Sequence, residues 1–260
     1  MKTDQSLSIV VIAGNEQDMI GDCLKSCRFA DEIILVAANS TDDTKKIAKN
    51  TIPNIKIIET FDEYNKNFSK WRNLGYKAVK SPWILYIDAD ERITSDLQQE
   101  IISKISSSHP QNYYVIPRAN FFLGKRVHYG NTYPDYVKRL YNMAFFKGYR
   151  GYLHEEPIIT GNFGYLKNDL THYTHRRLDT MLQKSLAWTD MEARALYENN
   201  HPPVVWWRIL RMMSTKLWQR LVIEKMWKDG TVGWISAIFE AFDTFIIYTR
   251  LWELQQPKLK

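Results

Sequence analysis

The amino-acid sequence predicts an α/β protein with a largely parallel central sheet, followed by a C-terminal group of amphipathic helices. Apolar strand-like segments alternate with helix-like segments through about the first 90 residues, which is the pattern of right-handed βαβ units. One of the strands, Trp83–Ile87, is apolar throughout and ends at an acidic cluster. Beyond residue 177, the strand pattern gives way to three long helical segments.

The strands and helices of the first half follow one another in a regular order. The segment Leu7–Ala13 is too short for the core of a signal peptide, follows Asp4 and lacks a small-residue cleavage site, so we expect the first strand there. Strand and helix then alternate over the predicted segments Leu7–Ala13, Glu16–Cys27, Glu32–Ala37, Asp42–Asn50, Ile55–Glu59, Phe68–Val79 and Trp83–Ile87. The last of these, being entirely apolar, is expected to be buried on both faces of the sheet.

Composition and simple motifs limit the class of protein. The 260 residues are enough for one large α/β domain with an appendage. Cys23 and Cys27 are expected to be buried packing residues in a reducing compartment, because a zinc site would need two more ligands nearby. The absence of Gly-x-x-x-x-Gly-Lys-Ser/Thr and Gly-x-Gly-x-x-Gly argues against phosphate-loop NTPases and nicotinamide dehydrogenases.

No stretch of about 18 uncharged apolar residues occurs, so we expect a cytoplasmic protein. The net charge of +6 and nine tryptophans nevertheless suggest contact with an acidic and apolar surface.

Two aspartates directly follow the strand Trp83–Ile87. Asp88 and Asp90 lie two residues apart at its C-terminal end, which is where α/β sheets bind ligands. Carboxylates are hard oxygen ligands, so this pair is suited to hold a divalent cation against a diphosphate. The alternative is that both side chains only cap the turn into the next helix, and the Asp-x-Asp pattern alone does not decide between the two.

Polar turns also follow two other predicted strands. They are Gly14-Asn15-Glu16 after the first strand and Asn39-Ser40-Thr41-Asp42 after the second. Because the carboxyl ends of parallel strands meet at one edge of a sheet, we expect both turns to lie beside the aspartate pair. The second turn also carries a helix N-terminal signal, so capping explains part of its composition.

Three segments of the first half resemble family 2 glycosyltransferases of GT-A fold: LSIVVIAGNEQDMIGDCLKS, ADEIILVAANSTDDTKKIAK and FSKWRNLGYKAVKSPWILYIDADERI. Three later segments, GYLHEEP, THYTHRRLDTMLQK and FIIYTRLWELQ, are similar to the bacterial branch typified by the lipopolysaccharide-core β-1,4-glucosyltransferases. The resemblance covers nearly the whole chain in the same order. It implies a Rossmann-like, largely parallel sheet with a small antiparallel part. It also implies inverting transfer of a sugar from a nucleotide diphosphate to a hydroxyl group.

The resemblance assigns roles to residues at the strand ends. It implies that Asp90 and Asp88 hold a divalent cation, Mg²⁺ or Mn²⁺, with His172 as a further ligand and His175 in reserve. Such a cation would neutralise the negative charge that develops on the leaving diphosphate. The implied nucleotide-sugar contacts are Ala13, Asn15, Glu16, Asn39, Asp42, Arg72, Asp88 and Ala89. The alternatives are a solvated helix charge for Arg72, a helix cap for Asp42 and a structural role for His172.

An inverting displacement also requires a general base near the acceptor hydroxyl. The resemblance carries that role to Glu155, downstream of the loop Gly148–Gly151, with Glu156 as a substitute. The residues that it places on the acceptor side are Asp135, His154 and Glu156. The alternative for Glu155 is a structural ion pair with Arg139 or Arg150.

The chain departs from the family pattern at two places. Ala37 stands where the second strand usually ends in an aspartate that contacts the nucleotide, and Ala13-Gly14 stands where a Thr-Lys pair is common. Loss of a hydrogen-bonding carboxylate weakens nucleotide recognition by about 1–3 kcal/mol unless another group compensates. These departures leave the donor and the level of activity open, although the intact Asp88 and Asp90 argue against an inactive enzyme.

The C-terminal part is predicted to form helices over Leu178–Glu198, Val204–Lys228 and Thr231–Glu253. On the second helix a polar side is formed by Arg208, Arg211, Thr215, Lys216 and Gln219, and a broadly opposite apolar side by Trp206, Trp207, Leu210, Met213, Leu217 and Leu221. Basic residues flanking a tryptophan-rich face are typical of a helix in an anionic membrane interface. The alternative is packing on the catalytic domain or on a partner chain. Nucleic-acid binding is not expected, because the aromatic rings are not interleaved with the charges as stacking platforms.

These observations predict a catalytic GT-A domain over residues 1–177 and a membrane-interface helical region over residues 178–260. Within the catalytic domain, residues 1–92 would bind the nucleotide sugar and residues 93–177 would form the acceptor side. The predicted function is transfer of a hexose, with UDP-glucose favoured as donor, to a lipopolysaccharide-core, lipid-linked or other envelope glycan at the inner face of the cytoplasmic membrane. The alternatives are a non-catalytic carbohydrate- or membrane-binding protein of the same fold and a sugar nucleotidyltransferase, whose usual glycine-rich first turn is missing here.

Overall fold

The structure is a computed structural model that describes residues 5–61, 67–130, 132–151 and 155–257. The chain forms two compact units. The first unit is drawn from the ranges Met1–Ala119 and Asp135–His172, and the second from Asn120–Pro134 and Tyr173–Lys260.

The alternation of strands and helices predicted for the first half is confirmed. Its elements are β1 (Leu7–Ala13), α1 (Ile20–Ser26), β2 (Glu32–Ala38), α2 (Thr44–Thr51), β3 (Lys56–Thr60), α3 (Phe68–Ala78) and β4 (Trp83–Asp88). Helix α1 begins four residues later than predicted. The carbonyl of Glu16 first accepts the amides of Met19 and Ile20, both at 2.9 Å, and closes a turn before the helix starts.

The chain after β4 is mostly β-structure up to residue 174. Its elements are β5 (Glu91–Ile93), α4 (Ser95–Ile105), β6 (Tyr113–Phe122), β7 (Lys125–Arg126), β8 (Asp135–Asn142), β9 (Phe146–Arg150), β10 (Glu156–Ile159), β11 (Phe163–Tyr165) and β12 (Leu170–Thr174).

The main sheet has the strand order β3-β2-β1-β4-β8-β6-β12-β5. Strands β1 to β4 are parallel to one another, whereas β8 runs antiparallel to both β4 and β6. A separate antiparallel pair is formed by β9 and β10. This mixed sheet, largely parallel in its first half, is the GT-A-like α/β architecture expected from the sequence.

Strand β1 divides the core into two layers, because its side chains alternate between the two faces of the sheet. Ile9 and Val11 belong to the apolar layer that contains residues of α1 and α4. Val10 and Ile12 belong to the opposite layer, which contains Trp71 of α3. Residues Trp83–Ile87 of β4 are fully buried, so the predicted burial on both faces is confirmed. Complete burial of each large aliphatic side chain is worth about 1.5–3 kcal/mol, so these strands anchor the edge at which they end.

The parallel strands end at a common edge. In the ladder, Ile12 lies opposite Asp88, Ala13 opposite Ala37, and Ala38 opposite Thr60. The three polar turns predicted to lie together therefore follow adjacent strands.

The second unit contains α5 (Leu178–Glu198), α6 (Trp206–Trp218) and α7 (Thr231–Gln255), which confirms the first and third predicted helices. The predicted helix Val204–Lys228 is wrong beyond Trp218. The chain continues there as a π-helical turn over Gln219–Ile223, a left-handed residue at Lys225 and a 3₁₀ turn over Met226–Asp229.

Tertiary contacts explain why the helical pattern does not continue. Met226 is only 1% exposed and packs at Gly130, where an added Cβ would lie 2.7 Å from the Met226 side chain. The Asp229 carboxylate accepts the amides of His128 at 3.1 Å and Tyr129 at 2.9 Å. These contacts need a change of chain direction that a continuous helix cannot provide.

Among the residues that the structure describes, one helix, α7, is long and apolar enough to cross a membrane by length and composition. About a third of its most apolar window, 33%, is buried inside the protein, and core helices of soluble proteins pass the same test. Cys23 and Cys27 are both buried free thiols, as predicted.

The contact between α3 and β1 tests how tightly the sheet edge is packed. A Cβ on Gly75 would lie 2.4 Å from Cγ1 of Val10. We expect Gly75→Ala to lower the free energy of unfolding by about 1–3 kcal/mol through overpacking, as measured by urea denaturation. The control is Gly21→Ala in α1, where a Cβ would meet its nearest neighbour, Cγ2 of Ile47, at an ordinary 3.5 Å. Equal destabilisation of the two variants would contradict the packing argument.

Candidate active site at the strand ends

Asp88 lies at the end of β4 and is enclosed by two arginines. Its carboxylate accepts hydrogen bonds from Nη2 of Arg139 and from Nη2 of Arg72, the latter at 3.4 Å. Its backbone amide donates to Oε2 of Glu91 at 2.9 Å. The turn is held to the sheet because the amide of Ala89 donates to the carbonyl of Ile12 at 3.2 Å. Asp88 thus has a fixed position between helix α3 and strand β8.

Glu91 is the second carboxylate of this charge network. It is fully buried and accepts from Nη2 of Arg139 at 3.1 Å and from Nη1 of Arg118 at 3.3 Å. Arg118 also donates to the Asp135 carboxylate, with Nη2 at 2.6 Å. Because a buried charge is stable only when it is paired and hydrogen-bonded, the network ties β4, β5, β6 and β8 together.

The network keeps its members charged. Burial alone would raise the pKa of Asp88, but the adjacent guanidinium groups of Arg139 and Arg72 outweigh it and hold that pKa well below its ordinary value. Burial would lower the pKa of Arg139, and the Asp88 and Glu91 carboxylates raise it instead. Asp88 is therefore an anion, and both of its carboxylate oxygens are occupied by guanidinium groups.

Arg72 of α3 connects Asp88 to Glu155. Its side chain is 6% exposed, and its Nε and Nη2 both lie 3.0 Å from Oε1 of Glu155. The guanidinium lies 5.6 Å from the ring centre of Tyr86 and 5.3 Å from that of Tyr149. The third nitrogen, Nη1, is buried and has no hydrogen-bond partner among the described residues. Arg72 is thus not a solvated helix charge.

Asp90, two residues after Asp88, lies close to His172. Nε2 of His172 is 3.5 Å from Oδ2 of Asp90, and His172 lies opposite Glu91 in the ladder between β12 and β5. A carboxylate oxygen and an imidazole nitrogen at this separation fit two ligand positions of one divalent cation. Asp88 fits less well, because arginines occupy its oxygens. No group of three or more candidate ligands occurs within the described ranges.

The turns after β1 and β2 are joined by hydrogen bonds. Oδ1 of Asn15 accepts from the backbone amide of Thr41 at 2.8 Å, and the Asp42 carboxylate accepts from the amides of Gln17 at 3.0 Å and Thr44 at 3.1 Å. Burial alone would raise the pKa of Asp42, but hydrogen bonds from Thr44 and Gln17 outweigh it and lower that pKa. Asp42 therefore has the geometry of a cap at the start of α2. A role for either residue in nucleotide binding stays a prediction.

The other predicted site residues near these turns lie at or just after the ends of the strands. Ala13 and Ala89 are buried at the ends of β1 and β4. Glu16 closes the turn before α1, and Asn39 has a φ of 51° and donates its amide to the carbonyl of Thr60. Their backbones define the edge at which the strands end.

On the predicted acceptor side, the structure separates the neighbouring carboxylates. Glu155 pairs with the buried Arg72, whereas Glu156 begins β10 and lies 3.4 Å from the exposed Arg150. His154 lies outside the described residues. His175 belongs to the second unit, where its Nδ1 lies 2.6 Å from Oγ1 of Thr174.

Sequence reasoning missed the structural part of the network. The sequence prediction does not include Glu91 or Arg118, and it includes Arg139 only as an alternative partner of Glu155. Arg118 is the one charged residue in the otherwise uncharged strand β6, and Glu91 directly follows the aspartate pair. A lone charge within a buried strand is the signal that could have identified them.

Substitution of Asp88 tests the charge network through pH. We expect Asp88→Asn to lower the free energy of unfolding at pH 7 by about 3 kcal/mol, because two buried arginines lose their anionic partner. The folded-state pKa of Asp88 is lowered, so the carboxylate stabilises the fold above the ordinary aspartate pKa of about 4 and loses this effect as the pH falls further. The difference in the free energy of unfolding between the two proteins should therefore begin to shrink below about pH 4 and go on shrinking as the pH falls further. The control substitution, Asp43→Asn at an exposed residue, should change the free energy of unfolding little. A difference in the free energy of unfolding between Asp88→Asn and the wild type that stays constant down to pH 3 would contradict the pairing.

Comparison with known proteins places the chain in a family. The family model described as "Glycosyl transferase family 2" matches residues 8–174, more than half of the chain. A lipopolysaccharide core biosynthesis glycosyltransferase, LpsC of Rhizobium meliloti (strain 1021), is 23% identical over 98% of this chain and 94% of its own length. An uncharacterized glycosyltransferase of Rickettsia typhi is 26% identical over 96% of this chain and 88% of its length. The solved structure of S. aureus TarS 1-349 in complex with UDP-GlcNAc has 14% identity and a TM-score of 0.47, and the match covers 95% of this chain and 90% of that crystallised chain. The chain belongs to glycosyl transferase family 2.

Proposed function

We propose that the protein transfers a sugar, with inversion at the anomeric carbon, from a nucleotide-diphosphate sugar to a hydroxyl group of an envelope glycan. UDP-glucose or another UDP-hexose is the favoured donor, on the strength of the family resemblance of the sequence. Membership of family 2 supports transfer of a sugar as the class of reaction. The charged residues near the end of β4 support the proposed positions of the sugar donor and of the general base.

The observation that carries this proposal is the buried guanidinium of Arg72. It lies between Asp88 and Glu155, and its Nη1 has no partner among the described residues. A buried N–H group without an acceptor is destabilising by about 1–3 kcal/mol. A phosphate oxygen of the donor is an acceptor of the right charge for that position, and arginine is well suited to bind phosphate.

Asp90 and His172 are the residues that would hold a divalent cation. Mg²⁺ and Mn²⁺ suit carboxylate ligands together with substrate phosphates, and Mn²⁺ also accepts an imidazole nitrogen. When bound, the cation supplies Lewis-acid neutralisation of charge on the leaving diphosphate. Asp88 acts mainly by holding Arg72 and Arg139 at the same edge.

Glu155 is the proposed general base. The acceptor oxygen forms a bond to the anomeric carbon while the bond from that carbon to the diphosphate breaks, and the hydroxyl proton passes to Glu155. Before donor binding, Arg72 neutralises this carboxylate at 3.0 Å. Phosphate oxygens that bind Arg72 compete for the guanidinium and leave Glu155 free to accept a proton. Asp135, fixed by Arg118, is the proposed contact to the acceptor.

The proposed setting is the inner face of the cytoplasmic membrane. The relative of 23% identity takes part in lipopolysaccharide core biosynthesis, according to its name. A lipopolysaccharide-core or other lipid-linked acceptor would account for the net charge of +6 and for the seven of nine tryptophans that follow Leu178.

The first test is hydrolysis of donor sugars by the purified protein. Water substitutes slowly for the acceptor, so UDP-, GDP- and dTDP-sugars can be compared with Mg²⁺ or Mn²⁺ without knowledge of the acceptor. We expect cleavage of a UDP-hexose that is lost in Asp90→Ala. Cleavage that is unaffected by this substitution would refute the role of Asp90. Absence of both cleavage and donor binding would favour a non-catalytic protein of the same fold.

The second test separates the two neighbouring glutamates. Glu155→Gln should lower kcat by about 100-fold to 10,000-fold, as expected for loss of a general base. Glu156→Gln is the matched control, since its carboxylate is 67% exposed and pairs only with the exposed Arg150 among the described contacts. Equal turnover of Glu155→Gln and the wild-type protein would exclude Glu155 as the base.

A further inference from the structure

The second unit has an open apolar groove where the chain turns from α6 into α7. This groove, called the tryptophan groove below, has a volume of about 620 Å³ and is lined by Leu221, Val222, Lys225, Trp227, Lys228 and Trp234. It lies at the place where the predicted continuous helix breaks. The break thus creates a surface that an uninterrupted helix would not have.

Large apolar side chains at the groove are exposed to solvent. Trp227 is 50% exposed and Trp234 is 48% exposed, and Ile223, next to Val222 in the chain, is 65% exposed. Trp218, which ends α6, is 61% exposed. Clustered exposure of this kind is uncommon on a protein surface without a binding partner.

The groove is also positively charged. Neither Lys225 nor Lys228 forms a salt bridge in the part of the chain that the structure describes. Lys228 lies 5.7 Å from the ring centre of Trp227, so an ammonium group and an indole are presented side by side.

The neighbouring carboxylates do not neutralise these lysines, because they are used inside the unit. Glu224 is paired with Arg220, and its side chain is 6% exposed. The Asp229 side chain is 5% exposed and accepts the amides of His128 and Tyr129. The lysines are therefore left with uncompensated charge at the groove.

The groove has a rigid base. Lys225 has a φ of 58°, and the next residue, Met226, is buried. The carbonyl of Glu224 accepts the amide of Gly130 at 3.1 Å. These contacts hold the backbone of residues 224–226 at the base of the groove before any ligand is bound.

We propose that the tryptophan groove binds the surface of a bilayer that contains anionic lipids, with the indole rings at the level of the headgroups and Lys225 and Lys228 at lipid phosphates. Tryptophan prefers this interfacial depth, and lysine is attracted to the negative surface potential. A protein partner fits less well, because the exposed groove lining offers no carboxylate or amide side chain to specify one.

Helix α6 also presents basic side chains next to exposed tryptophan rings. The guanidinium groups of Arg208 and Arg211 each lie 5.6 Å from the ring centre of Trp207. No residue of α6 is fully buried, and Trp206 is 74% exposed. The inference rests on the proposed function for its biological setting, since it brings the enzyme to the membrane that carries a lipid-linked acceptor.

The test is co-sedimentation of the purified full-length protein with vesicles of phosphatidylcholine, with and without phosphatidylglycerol. We expect binding to the anionic vesicles that weakens as NaCl is raised. Lys225→Gln/Lys228→Gln should weaken it about 30-fold, at about fivefold for each lysine. The matched control is Lys46→Gln/Lys49→Gln, which removes the same charge from exposed positions on α2 and should bind as the wild type does.

Trp227→Ala provides a second variant that leaves the lysines in place, and it should also weaken binding to anionic vesicles. Equal circular dichroism spectra would exclude misfolding as the cause. The proposal is overturned if the wild type does not bind anionic vesicles, if it binds neutral vesicles equally well, or if both groove variants match the control pair. Donor hydrolysis by the wild type is measured without vesicles, so its absence would count against the proposed reaction and not against membrane binding.

Discussion

The candidate site depends on the pairing of buried charges around Asp88. Removing a charge from water is stable only if opposite charge and hydrogen bonds replace the lost hydration. Asp88 obtains these from Arg72 and Arg139, while Glu91 joins Arg139 to Arg118. Since these arginines come from a helix and two strands, the network determines where those elements meet at the end of β4.

The two aspartates of the Asp-x-Asp pattern have different surroundings as a result. Asp88 points its carboxylate to guanidinium groups, whereas Asp90 has an imidazole 3.5 Å away. The Asp88 carboxylate is therefore held in internal ion pairs. Asp90 instead lies beside an imidazole, as expected of a residue that binds a cation. A pattern that looks symmetrical in the sequence thus separates into one positioning group and one candidate ligand.

In the second unit, too, the side chains that are buried differ from those that the sequence pattern predicts. The sequence pattern of the second helix predicts an apolar side that includes Trp206 and Leu210, but in the structure Ile209 and Met212 pack inward while Trp206 and Leu210 remain exposed. Burial of Met226 and the bonds of Asp229 end the helix and form the tryptophan groove. Both its apolar and its basic side chains therefore remain available for binding.

The sequence by itself determined the alternation of strands and helices, the burial of β4 and the common edge of the polar turns. These features depend on local periodicity and on the parallel arrangement that short βαβ connections impose. Family membership was likewise predictable from the resemblance of segments spread over nearly the whole chain.

Only the tertiary structure decided that Arg72 pairs with both Asp88 and Glu155, that Glu91 anchors two arginines, and that the helix after Trp218 breaks. These outcomes depend on contacts between residues up to 101 positions apart. They depend on which buried charges and side chains find partners after the elements pack, and local sequence patterns do not encode that choice.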